Sequence, residues 1–198
     1  MSHRLPTPLL CIALLVGCNA ALAQGPYALV SIGNSTYMGN AQSDGDAALT
    51  AAGQTGISSS LSTRGTGYKA MLGYQLNPSF AVEGGYWDIG NLTKYQATAS
   101  GGGLNVDYKG IGLNASALCL AQVNTELSVF GKLGLTYSSV TGSGSGPGVS
   151  VSSTEEKASL GYGVGGIYNL TPKLGLRAEW ERLYTDVTLF SVGLQVKF

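Results

Sequence analysis

An all-β, eight-stranded antiparallel up-and-down barrel that crosses a membrane is the fold this sequence predicts, and three observations predict it. The first is alternation. Backwards from Phe198, every second residue is large and apolar (Phe198, Val196, Leu194, Val192, Phe190), with Lys197, Gln195, Gly193 and Ser191 between them. Side chains alternate across a strand, so this stretch has one apolar and one polar face. The second is composition: 198 residues hold 30 Gly, 11 Tyr and only 6 Pro, with 11% charged residues and a net charge of zero. The third is that, while mean hydropathy is +0.16, no apolar run reaches the length at which a helix spans a bilayer. An aromatic at the very C-terminus fits a strand locked into a closed sheet with Phe198 at a membrane interface. Phe198, Val196 and Leu194 are accordingly expected to form the C-terminal signal for membrane assembly, read by barrel-assembly machinery during insertion.

Residues 1–23 read as an export signal and 24–198 as one barrel domain. Arg4 follows a short polar start, residues 9–17 form an apolar run too short to span, and Ala21-Leu22-Ala23 gives a small-x-small cleavage site before Gln24. A second reading exists: Leu15-Val16-Gly17-Cys18 resembles a lipobox, which would lipidate Cys18. Cleavage after Ala23 is preferred because the apolar run fits that site and the first strand follows closely.

Eight alternating segments follow in order. The first, 27–37, sets Ala28, Val30 and Ile32 against Leu29, Ser31 and Gly33. The second, 67–76, sets Tyr68, Ala70, Leu72 and Tyr74 against Lys69, Met71, Gly73 and Gln75. The third, 80–90, sets Val82 and Tyr86 against Glu83 and Gly85. The fourth, 105–120, sets Ile111, Leu113, Ala115, Ala117 and Cys119 against Gly112, Asn114 and Ser116. The fifth, 127–139, sets Leu133, Leu135 and Tyr137 against Lys132, Gly134 and Thr136. The sixth, 157–168, sets Leu160, Tyr162 and Val164 against Ser159, Gly161 and Gly163. The seventh, 174–184, sets Leu176, Ala178 and Trp180 against Arg177, Glu179 and Glu181, and the eighth is the C-terminal stretch.

Connections alternate between short and long. Asn77-Pro78, Val123-Asn124-Thr125 and Thr171-Pro172 mark tight turns. Residues 38–66, 91–103 and 141–155 are expected to be longer loops rich in Gly, Ser and Ala, and the link around Thr185-Asp186 is short. This is the arrangement of an even-stranded barrel with tight turns at one end and longer loops at the other. A soluble β-sandwich would bury its apolar face against a second sheet. Ionisable residues in mid-strand, aromatics at the ends of the apolar face and the export signal all argue against it.

Several function classes are excluded or weakened. There is no basic footprint for nucleic acid. Cys11 and Cys18 lie in the export segment, so Cys119 has no partner for an internal disulfide, and it reads as a small apolar residue on the outward face. His3 is the only histidine and leaves with the signal. Base-activated nucleophiles and metal sites lose their commonest groups, so no catalytic, cofactor-binding or metal residue is expected. Gly161-Tyr162-Gly163-Val164-Gly165-Gly166 matches the letters of a dinucleotide fingerprint but sits inside a strand with no helix after it. The glycines from Gly142 to Gly148 lack the Lys-Ser/Thr of a phosphate loop and read as a flexible outer loop. Tyr37, Tyr86, Trp87, Tyr137, Trp180 and Tyr184 fall near strand ends, as interfacial girdles do.

The polar face carries the candidate site: Lys69, Glu83, Lys132, Arg177, Glu179, Glu181 and Lys197, three acids against four bases. Buried charges need partners. One reading is a satisfied polar core that fixes barrel packing; the other is a gate, in which exchange of partners opens a narrow water path. Inward glycines (Gly161, Gly163, Gly165, Gly175, Gly193) leave room for the long charged side chains in an interior that eight strands just fill.

Gly73-Tyr74-Gln75-Leu76-Asn77-Pro78 followed by Val82-Glu83-Gly84-Gly85-Tyr86 resembles strands two and three of the transmembrane domain of bacterial outer membrane protein A. Lys132-Leu133-Gly134 is similar to that family's Arg-Leu-Gly, and Leu170-Thr171-Pro172 with Arg177-Ala178-Glu179-Trp180 is similar to its sixth turn and seventh strand. The resemblance covers 27–198. It implies an eight-stranded outer-membrane barrel in which an inward Glu and an inward Arg, here Glu83 and Arg177, pair across the lumen. Glu179 and Lys132 match further inward charges. The family's inward lysines on strands one and four fall near Ser31 and Leu118, so this network is charged differently. The sequence as given has no counterpart of the periplasmic peptidoglycan-binding domain, so wall anchoring is not carried over.

The expected function is that of a non-enzymatic outer-membrane barrel with a structural, surface-exposed role. It would sit among outer-membrane lipid and lipopolysaccharide, with its loops as interaction sites for a partner the sequence does not name. The alternative is a narrow passive channel gated by the interior charges.

Overall fold

The computed structural model describes residues 25–146 and 149–198. The expected export segment, 1–23 with Cys18, lies outside the described residues. Among these, the chain runs β1 (Gly25–Tyr37), α1 (Ala41–Ala51), β2 (Ser58–Ser62), β3 (Arg64–Asn77), β4 (Phe80–Ala99), β5 (Gly102–Gln122), β6 (Leu127–Gly146), β7 (Val149–Asn169), β8 (Leu174–Tyr184) and β9 (Val187–Lys197). Each strand pairs antiparallel with its neighbours, β1 pairs with both β3 and β9, and β4 with β5, so the sheet closes into a ring. β2 and β3 lie end to end along β4 on either side of Thr63. Together they make one wall, and the barrel has eight.

Alternation sets the faces. Along β3, Lys69, Met71 and Gln75 are buried, whereas Tyr68, Leu72 and Tyr74 are exposed. Leu135 on β6 is 63% exposed and Leu160 on β7 68%, while the lumenal Lys132, Thr136 and Glu181 are buried. Apolar residues outside around the walls, with buried charges on β3, β4, β6 and β8 inside, invert the arrangement of a soluble protein and demand an apolar solvent. Cys119 is half-buried on the outward face of β5, where the alternation placed it.

One end of the barrel is built from tight turns whose side-chain oxygens accept backbone N–H groups. Asn77 Oδ1 accepts from Ser79 (2.8 Å), Asn124 Oδ1 from Leu127 (2.7 Å) and Thr171 Oγ1 from Leu174 (3.0 Å).

The other end departs from expectation. β4, β5, β6 and β7 run for 20, 21, 20 and 21 residues, against 11 each for β8 and β9. Crossing a membrane takes only about 9–11 residues. Residues 91–99, 102–103, 141–146 and 149–155 are therefore strand, not loop. β4 and β5 stay paired from Lys94↔Asp107 to Ala99↔Gly102, and β6 and β7 from Thr141↔Thr154 to Gly146↔Val149. The supposedly flexible glycine run is ladder as far as Gly146. Backbone pairing needs no apolar alternation, so strands that leave the membrane lose the pattern that betrays them. The segment 38–66 holds α1 and β2. The four long strands with β2 form a one-sided crown above the barrel, and α1 lies across its open side.

Candidate functional site: the lumen and its outer mouth

The register gathers the inward charges. Arg177, Glu179 and Glu181 alternate on β8 and stand opposite Ile167, Gly165 and Gly163 of β7. A Cβ added at Gly163 would lie 2.8 Å from the Glu181 Cβ, and one at Gly165 2.8 Å from the Glu179 Cβ. Those glycines therefore provide the space into which the carboxylates lean.

Six of the seven predicted charges meet in one layer. Arg177 is a fork. It pairs with Glu83 through both terminal nitrogens (Nη2 to Oε2, 3.1 Å) and donates to Glu179 Oε2 from Nε (2.8 Å) and Nη2 (2.5 Å). Glu181 accepts from Lys69 (2.5 Å) and from Lys132 (2.6 Å). The second oxygen of Glu179 faces both lysines, pairing with Lys69 and lying 3.6 Å from Lys132. All six are buried, Arg177 to 1% exposure.

Lys197, the seventh, is not in this layer. It stands half-buried at the turn end and donates to Asn169 Oδ1 (3.2 Å). Its strand ends there, too far along the barrel for its ammonium to reach the carboxylates. The layer is left with three acids and three bases and is neutral as a whole.

Some members of the layer had no charge to betray them. Tyr27 donates to Glu83 Oε1 (2.7 Å), and the Arg177 guanidinium lies over the Phe130 ring, 4.3 Å from its centroid. Asn114 donates to Thr136 nearby (2.9 Å). The available signal was parity: Tyr27 shares the inward phase of Leu29 and Ser31.

Apolar clusters seal the layer on both sides. Tyr27, Ala81, Leu118, Leu120, Phe130 and Ile167 fill the lumen toward the turns. Leu118 thus takes an inward place that the resemblance gives to a lysine. Trp87, Ile89, Leu92, Leu183, Val187 and Leu189 fill it toward the crown, with Tyr37 and Tyr184 packed on top. This corrects the reading of the aromatics. Tyr86, Tyr137 and Trp180 do face outward, but Trp87 is a buried lumenal residue at 1% exposure. β4 continues well past Trp87, so that residue is mid-strand and not at an interface.

Above the second cluster the crown encloses a cavity of about 620 Å³. Leu92, Tyr184 and Val187 reach it from the barrel, Tyr95, Leu104, Val106, Tyr108 and Val140 from the crown, and Ala48 and Leu49 from α1. Two bonds centre on Asp46 of α1: Tyr95 donates to Oδ1 (2.6 Å) and Ser59 to Oδ2 (2.9 Å). Burial and that carboxylate push the Tyr95 phenol up to about 12, so it stays a neutral donor. Gly45 lets the helix approach, since a Cβ there would come within 2.7 Å of the Tyr95 ring.

A closed ring with a charged lumen and an apolar exterior agrees with the sequence family. Residues 9–198 match the model of the outer membrane protein beta-barrel domain. The chain belongs to that family. None of the curated proteins compared matches the sequence. Among solved structures it is similar to Neisserial surface protein A, at TM-score 0.55 and 18% identity over 88% of this chain and 97% of that one. It is also similar to the N-terminal β-barrel domain of Pseudomonas aeruginosa OprF (TM-score 0.52, 12% identity, 88% and 98% covered). Outer membrane protein OprG of the same organism matches at TM-score 0.52 and 11% identity, with 88% and 98% covered. At these identities the likeness is one of fold. As an outer-membrane barrel the protein places its tight turns in the periplasm and its crown outside.

Proposed function

We propose that this outer-membrane barrel is a sealed, non-enzymatic protein whose role is structural and surface-exposed, carried out by the crown. The neutral charged layer, closed by an apolar cluster on each side, carries this reading. Water would have to cross both clusters and part six paired charges. The crown holds its interaction surface on paired strands, among outer-membrane lipid and lipopolysaccharide.

A single observation favours the second reading, a gated passive channel: Glu179 is shared by Arg177, Lys69 and Lys132, so partners can be exchanged without leaving a charge alone. Single-channel recording of the refolded protein in a planar bilayer, beside Glu83→Ala, separates the two. The sealed barrel is silent as wild type. Discrete wild-type openings altered by Glu83→Ala would replace it with the gate.

In this reading export removes residues 1–23, and Phe198, Val196 and Leu194, all outward and exposed, present the assembly signal. Mass spectrometry of the mature protein then finds Gln24 first; a lipidated Cys18 would overturn that cleavage.

A further inference from the structure

The cavity beneath α1 has features that the sealed-barrel reading leaves unused. Its volume, about 620 Å³, lies in the range of sites for small organic ligands. Four tyrosines line it: Tyr37, Tyr95, Tyr108 and Tyr184. So do three carboxylates, Asp44, Glu155 and Asp186, against one base, Lys157. None of these three acids is in an ion pair among the described residues. Thr93, also on the lining and buried at 2% exposure, has a hydroxyl without a hydrogen-bond partner among the described residues.

Lys157 already displays the chemistry such a wall favours, for its ammonium lies over the Tyr184 ring, 5.3 Å from the centroid. Tyrosine faces attract cations, an apolar lining accepts a hydrocarbon body, and an excess of two negative charges selects the sign. We infer that the crown cavity is a binding site for a small lipophilic organic cation, an ammonium or phosphonium group carrying aryl or alkyl substituents. Entry is from the outer face, under α1, whose Ala48 and Leu49 form part of the wall. The barrel beneath serves as the closed floor of the site, so binding requires no conduction.

The test uses two ions of the same shape and opposite charge. Tetraphenylphosphonium and tetraphenylborate are titrated calorimetrically into the barrel in lipid nanodiscs, with empty discs subtracted. The expected result is saturable binding of the phosphonium and none of the borate. Ala48→Trp fills the cavity and abolishes the phosphonium signal. The triple variant Asp44→Asn, Glu155→Gln, Asp186→Asn keeps the shape and weakens binding by at least about tenfold. Far-UV circular dichroism and resistance to detergent unfolding show that each variant is folded. Should Ala48→Trp fail that check, the triple variant carries the test alone. Equal binding of both ions, no saturable binding of the phosphonium, or affinity unchanged in the triple variant overturns the site.

Discussion

The lumen and the crown use the same strands under different constraints. In the lumen every wall is paired on both sides, each inward position meets others across the ring, and the six charges of the central layer have partners. In the crown the sheet is open: above the rim β7 has no β8 beside it, since their pairing stops at Tyr162↔Arg182, and β2 covers β4 for five residues only. A helix with no buried residue fills the remaining side. The membrane requires closure and inversion, whereas water tolerates an open edge lined with Ser, Thr and charge. Rigidity is thus concentrated in the barrel, and the proposed surface role falls to a part that can change without disturbing it.

The comparison breaks most severely at Arg177. Arg177→Ala leaves Glu83 and Glu179 buried without their guanidinium and should cost about 3–5 kcal/mol, read by urea unfolding in lipid vesicles; a loss below about 1 kcal/mol would mean that water replaces the side chain. Leu133→Arg, on the lipid face beside the charged layer, should cost about 2–4 kcal/mol, and Leu194→Arg, nearer the periplasmic edge, closer to about 1 kcal/mol. Equal losses would contradict the depth assigned to the two residues. Gly165→Val drives a side chain into Phe130 and Glu179 and should cost about 1–3 kcal/mol. The smallest effect belongs to the crown. Asp46→Ala removes the acceptor of Tyr95 and Ser59, and should loosen α1 by about 1 kcal/mol. Faster amide exchange confined to residues 41–51, with barrel unfolding unchanged, is the expected outcome; a drop in global stability would show that crown and barrel are coupled.

The same division governs how much the sequence disclosed. Within the membrane, lipid enforces period two, so eight strands, their faces and the six clustered charges among the seven expected inward ones were legible one residue at a time. Lys197 shared the inward phase but not the depth, because parity says which way a side chain points and nothing of how far along the barrel it sits. Trp87 was misplaced for the related reason that β4 showed no end where it was expected. Above the membrane the pattern has no lipid to answer to. Ser143, Gly144 and Ser145 are ladder residues without an apolar face, and α1 carries Gly45 at its centre, a poor helix former that the close contact with Tyr95 requires. Tyr27 and Phe130 joined the charged layer through a hydroxyl and a ring face, which no count of ionisable residues could find.

The charged layer also bears on the order in which the barrel assembles. Glu83 and Arg177 are 94 residues apart in the chain, and Lys69 and Glu181 are 112 apart. Hairpins can form from neighbouring strands alone, but none of those hairpins brings the two halves of the layer together. While β1 and β9 remain apart, a nascent sheet carries into the membrane ionised groups whose partners lie on its far side. Arg177 with Glu179 and Lys132 with Glu181 can already pair within the C-terminal half, but Glu83 and Lys69 meet their partners only on closure, and the layer acts as a latch: an unclosed sheet is penalised, and the completed ring is fastened from within.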